Sequence, residues 1–272
     1  MKYIPHPIQT MLVVALLALL AACQSVQTTQ PGTVGVTRNQ QMSVSREAVD
    51  AQSAEAYAKM MAQASAKGEL NRDAVMLARV RGIANKLIPQ AAVFRPDATS
   101  WKWETNLLQS EQVNAFCMAG GKIAVYSGLI TKLQLTDEEL AAVMGHEMAH
   151  ALREHVREQI SEQQGLGVLA VIAGIASGSQ GVQDVTGQAL QVGVGLKHSR
   201  RAEREADDMG LELAARAGYD PRAAVSLWNK MNKQGGSRPP EFLSTHPSPE
   251  SRQQDLAQVA NVVMPLYQAA KK

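Results

Sequence analysis

Two histidines four residues apart, with a glutamate beside the first, are the side chains here best suited to chemistry: His146-Glu147-Met148-Ala149-His150. On an α-helix, positions i and i+4 lie ~40° apart in rotation and one turn apart in height. His146 and His150 can therefore offer two imidazole nitrogens to one ion. Zinc suits that role, because it binds neutral imidazole in tetrahedral geometry and needs no redox chemistry. Glu147 lies ~100° round from His146. From there a carboxylate can act as base on a metal-activated water rather than as a ligand. Gly145 and Ala149 are small, which leaves room for close packing or for a substrate.

Two ligands do not close a catalytic zinc site; a third is needed, with one position left open. Four more histidines exist, His6, His155, His198 and His246. His6 lies in a segment expected to be removed. His155 is nine residues beyond His146, so on a continuous helix it points ~180° away and is expected to be a solvated helix-face residue. His198, His246 and the carboxylates remain. Glu203 and Asp207 share one face of a helix expected to begin near Ser199. That permits Glu203 on the ion and Asp207 behind a ligand histidine. By spacing alone, among Arg200, Arg201, Arg204 and Glu205, the pair reads as a charged surface. A structural zinc site usually has four protein ligands and often uses cysteine, and Cys117 is distant in sequence from both histidines.

The elements that must position these residues are legible around them. Thr136-x-x-Glu139 is a capping box, and Asp137 and Glu138 favour the positive end of a helix dipole. The helix then runs to the glutamines before Gly165. Upstream, 46–67 and a segment capped by Asn71 have helical character. Trp101 to Leu108, Gln112 to Met118 and Lys122 to Tyr126 are strand-like, with a turn at Gly120-Gly121. Strands in the middle with helices around them make the fold class α+β. Residues 165–195 are Gly-rich, apolar at helical spacing and too short between charges to span a bilayer; an apolar lid or core packing both fit them.

The chain has 27 Lys+Arg against 25 Asp+Glu and 45% hydrophobic residues, which excludes a disordered chain and a multi-span membrane protein. The near-neutral balance and 4% aromatics give no support to nucleic-acid binding. Residues 11–22 are wholly apolar but would span only ~18 Å as a helix, short of a ~30 Å hydrocarbon core. Following Lys2 and ending Leu20-Ala21-Ala22-Cys23, they read as a secretory signal (1–22) with a bacterial lipobox, Cys23 receiving lipid. Gln24 after it favours the outer membrane, on its periplasmic side. Residues 23–45 are expected to be a lipid-anchored flexible tether and 46–272 the folded domain. Cys117 is then the only free thiol, expected buried and inert.

The motifs taken together resemble the HtpX-type gluzincin metallopeptidases, and among them the periplasmic lipoprotein proteases, without the helical-repeat domain that some carry. The likeness rests on His146-Glu-Met-Ala-His150, Glu203-x-x-Ala206-Asp207, Val113 to Phe116, Gly120-Gly121, Ser127-Gly128-Leu129 and Ser244-Thr245-His246-Pro247. It departs from the family at Cys117-Met118-Ala119, where a proline is common, and at Glu154. The resemblance implies a mostly helical zincin-like domain with a small antiparallel sheet beside the active-site helix. It implies one zinc held by His146, His150 and Glu203, Glu147 as general base and Asp207 behind a ligand. It also implies His246, or less directly Arg252, as oxyanion donor, with His246 able to shut the site. Asn114 and Ala115 would lie on an edge strand that binds extended peptide. The implied activity is endopeptidase cleavage of misfolded or unassembled envelope and outer-membrane proteins, beside the outer-membrane assembly machinery. A holdase that binds unfolded chains and rarely cuts is the alternative; a pure binder has no need of Glu147.

Overall fold

Hydrophobic periodicity and capping residues place most of the helices. A computed structural model describes residues 24–164, 197–234, 241–246 and 251–272. The signal segment, Cys23 and the Gly-rich stretch expected to form a lid lie outside the described residues. Helix α1 (Arg46–Ala66) starts at Ser45, whose hydroxyl accepts from the Ala48 N–H. Helix α2 (Ala74–Leu87) is capped by Asp73 rather than Asn71. Asn71 instead has φ 53° and its side chain bonds Leu107 N–H and Asn106, tying the turn to the sheet. Helix α2 packs Val80, Ile83, Ala84 and Leu87 into the core.

The sheet has three strands, β3 (Glu104–Leu108), β4 (Ala115–Met118) and β5 (Lys122–Tyr126), in the order β3-β5-β4. The fold is α+β and mostly helical, and the sheet is mixed rather than purely antiparallel. β4 and β5 form the hairpin through Gly120 and Gly121, while β3 pairs β5 in parallel. Gly121 has φ 82°, and a Cβ there would meet the Trp103 ring at 2.6 Å. Among the described residues β4 pairs with β5 alone and so lies at an edge of the sheet.

A short helix α3 (Ser127–Leu133) leads to α4 (Asp137–Leu152), which opens with the full Thr136–Glu139 capping box. The expected uninterrupted helix does not form. It breaks at Arg153-Glu154, where Glu154 takes a left-handed φ of 55°, and a second helix α5 runs over 155–164. Helix α6 (Arg200–Arg216), capped by Ser199, crosses α4 at Gly145 and Gly210. A Cβ on Gly145 would lie 2.6 Å from the Gly210 carbonyl oxygen, so only glycine allows this approach. Helices α7 (Ala223–Lys233), α8 (Glu241–Thr245) and α9 (Arg252–Ala270) complete the shell. One core joins α2, α4, α6, α7 and α9 to the sheet.

The segment expected to be a flexible tether is packed on the domain. β1 (Gln24–Val26) pairs antiparallel with β2 (Gln40–Met42). Val36, Gln40 and Met42 are buried, and Gln40 donates to the Arg153 carbonyl and to Glu158. Polar composition misled here, because the strap is held by specific hydrogen bonds and ion pairs rather than by apolar mass. No helix among the described residues is long and apolar enough to cross a membrane.

Candidate metal centre

Helix α4 carries His146, Glu147 and His150 to the middle of the molecule, all buried. The close α4–α6 crossing brings Glu203 and Asp207 against them, and α8 ends by delivering His246. His146 Nε2 lies 3.1 Å from His150 Nε2 and 3.2 Å from His246 Nδ1. Glu203 Oε1 is 3.4 Å from His150 Nε2 and 2.9 Å from His246 Nδ1, and Glu203 Oε2 is 3.6 Å from His146 Nε2. Atoms coordinated tetrahedrally at zinc–nitrogen and zinc–oxygen distances are ~3.3 Å apart. The four side chains His146, His150, Glu203 and His246 therefore fit one small cation, with all candidate ligand atoms within 4.8 Å of one another. Three imidazoles and a carboxylate suit zinc by donor type.

Around this set, Asp207 Oδ1 sits 3.0 Å from His146 Nδ1. Arg252 donates to Glu203 Oε2 at 2.9 Å and to Asp207 Oδ1 at 2.7 Å. With both ends engaged and its guanidinium 3.6 Å from the centroid of Trp228, Arg252 fixes the carboxylates from behind. It is not placed to meet an oxyanion, as the sequence reading allowed. His246 directly follows the last residue of α8 and precedes Pro247. Its N–H donates to the Phe242 carbonyl at 3.0 Å, its ring stacks on Phe242, and its Nε2 lies 3.3 Å from Glu147 Oε1.

Burial sets the proton affinities, with the neighbours correcting it. Burial would push Glu203 up, but hydrogen bonds from His150 and His246 and the nearby imidazoles hold it well below the usual carboxylate range. Burial raises Glu147, against the pull of His246 and His146; among the described residues its Oε1 makes no hydrogen bond, and His246 Nε2 is its nearest cationic partner. Burial lowers His150, with help from His198, and so favours the neutral imidazole a cation needs. His198, stacked on His150 at 4.0 Å, is depressed by burial and by His246 to about 3.

The sequence reading missed His155. It is fully buried, with Nδ1 2.9 Å from His150 Nδ1 and Nε2 3.2 Å from Glu205 Oε2. The break at Arg153-Glu154 cancels the ~180° offset that a continuous helix would impose. Neither glycine nor proline marks that break. What holds it is Glu154 paired with Arg95 and, at 2.7 Å, with Arg157, contacts distant in sequence or visible only once the turn exists.

The edge-strand residues divide by their hydrogen bonds. The Asn114 carbonyl is taken by the Tyr126 N–H, and Asn114 Oδ1 accepts from the Ala115 N–H at 2.9 Å. Alternation along the ladder therefore turns the backbones of Ala115 and Cys117 away from β5, with the Ala115 N–H already taken by Asn114 Oδ1. Cys117 is a free, buried thiol pushed well up by burial.

The fold and the side chains gathered at its centre define a metallopeptidase of the gluzincin type. A family model, "Peptidase family M48", matches residues 74–260. The chain is 40% identical over 162 residues to the mitochondrial metalloendopeptidase OMA1 of Arabidopsis thaliana, covering 59% of this chain and 32% of that one. It is 30% identical over 214 residues to the beta-barrel assembly-enhancing protease of Yersinia pestis (75% and 43%). Against the Escherichia coli K12 protein of that name it is 32% identical over 170 residues (59% and 35%). The chain belongs to peptidase family M48, and it spans about a third to a half of the length of these relatives.

Proposed function

We propose that this chain is a zinc-dependent endopeptidase of a Gram-negative envelope, which cleaves unfolded or misassembled envelope and outer-membrane proteins. The observation that carries the reading is the clustering of ligand atoms of His146, His150, Glu203 and His246 within 4.8 Å of one another, with the buried Glu147 carboxylate beside them. In this reading His146, His150 and Glu203 hold one zinc, and Asp207 fixes the His146 ring. Zinc there supplies a Lewis acid that acidifies water and polarises a peptide carbonyl. Glu147, raised by burial, takes the proton from the attacking water at Oε1 and passes it to the leaving amine. Substrate adds to the β4 edge through the backbones of Ala115 and Cys117, with Asn114 setting the strand end; main-chain pairing accepts many sequences.

The place of His246 Nδ1 beside the three other candidate ligands supports a gating role for His246, with oxyanion stabilisation as the alternative. The lipobox supports acylation of Cys23 and a place on the periplasmic face of the outer membrane. The relatives named for beta-barrel assembly support a setting beside the outer-membrane assembly machinery, although others named for mitochondria share the same domain.

The test is zinc content and casein cleavage of the wild type, Glu147→Gln and His246→Ala. One zinc per chain, with cleavage lost in Glu147→Gln while zinc is retained, is the expected result. Faster cleavage by His246→Ala identifies a gate; loss of cleavage assigns His246 to stabilising the oxyanion. Zinc without cleavage in both wild type and His246→Ala selects a holdase, and a wild type that binds no zinc refutes the reading.

A further inference from the structure

His146 and His150 are oriented by different devices. His146 Nδ1 meets the Asp207 carboxylate directly. Among the described residues no carboxylate meets His150 Nδ1; its neighbour is His155 Nδ1 at 2.9 Å. Two imidazole nitrogens at that distance need one donor and one acceptor. His150 Nε2 faces His146 and Glu203, so a neutral His150 that keeps Nε2 free for a cation carries its proton on Nδ1. That proton can only be donated to His155 Nδ1. His155 must then carry its own proton on Nε2, where Glu205 Oε2 accepts it at 3.2 Å. Glu205 is fixed in turn by Arg153 Nε at 2.9 Å and by Arg38 Nε at 2.5 Å and Nη2 at 3.1 Å. Every donor in the chain has one acceptor, and only one set of tautomers satisfies it. The left-handed turn at Glu154 makes the chain possible, and such a conformation at a non-glycine residue persists only where its surroundings over-determine it.

We infer that His155 and Glu205 are positioning residues that lock the ring and tautomer of His150 through a histidine–histidine–carboxylate relay, the counterpart of Asp207 behind His146. The inference rests on the reading of His150 as a metal ligand. The relay lets a carboxylate act on a ligand it cannot touch, and it ties that ligand to Arg38 of the N-terminal strap.

The test is competitive chelator titration of zinc on the purified full chain, with apo-state melting as a control for the fold. His155→Phe keeps the ring and removes both nitrogens; its zinc affinity should fall ~10–100-fold while apo melting stays close to wild type. His155→Gln offers an amide oxygen to His150 and an amide N–H to Glu205, and it should recover part of that loss. Unchanged affinity in a folded His155→Phe overturns the relay and leaves the metal site standing. A wild type that binds no zinc overturns the metal site itself. Nitrogen-15 histidine NMR of the zinc-loaded wild type decides the matter even if His155→Phe does not fold. His155 protonated at Nε2 is the expected tautomer, and protonation at Nδ1 refutes the relay.

Discussion

Single side chains around the centre are committed to more than one partner. Arg252 serves Glu203 and Asp207 at once, which needs the planar fork of a guanidinium. Arg252→Lys can reach one of them, and we expect zinc affinity to fall ~10-fold by chelator competition with little change in melting temperature. Arg38 is placed likewise between Glu158 and Glu205. Burial would raise both carboxyls, but hydrogen bonds from Arg38, and from His155 on Glu205 and Gln40 on Glu158, hold both below their ordinary values. A carboxyl depressed in the folded state stabilises it fully above the unfolded value of ~4.3, and that stability is lost as pH falls through the folded value. Melting temperature should therefore drop below about pH 4.5. Arg38→Gln should cost about 2 kcal/mol at pH 7 by removing the charged hydrogen bonds that Glu158 and Glu205 share, although Gln40, Arg153 and His155 stay in place, and the gap from wild type should narrow as the pH falls.

At the scale of elements, the crossing of α4 and α6 decides whether Glu203 reaches the histidines. Gly210→Ala would place a Cβ 2.6 Å from the His146 backbone nitrogen, and neither side of that contact is a flexible side chain. Overpacking of this kind costs about 1–3 kcal/mol. Urea unfolding should show that loss, and chelator titration should show weaker zinc binding from the displaced α6. What was legible in the sequence follows the same division. Helix α4, the hairpin strands and the Ser199 cap announce themselves through local signals: the capping box, alternation, a double glycine. The histidine and glutamate spacing of α4 is equally local. Glu203 needed a family likeness, because its selection from a run of arginines and acids depends on a helix crossing made by two glycines 65 positions apart in sequence. His155 was misread because the helix break that turns it inward is held by Arg95, far away in the chain. The strap was misread because composition measures apolar content, and its attachment is polar.

Across the whole molecule, the strap reaches from Gln24 to the residues behind the candidate metal centre. Arg38 and Gln40 meet Glu158, Arg38 meets Glu205, and the Arg38 carbonyl accepts from Arg153. Deleting residues 24–44 should therefore do more than remove a leash. We expect a lower melting temperature and weaker zinc binding together, whereas deletion of an inert tether would change neither.

The same packed strap has a mechanical consequence. β1 begins at Gln24, the residue after the proposed acylation site. With Cys23 acylated, about one residue of extended chain, ~3.5 Å, separates the lipid from folded structure. Such an anchor would moor the folded body close to the bilayer rather than float it above. Its working radius would then be confined to the membrane surface, and the polypeptides within reach would be selected by address before any side chain is read.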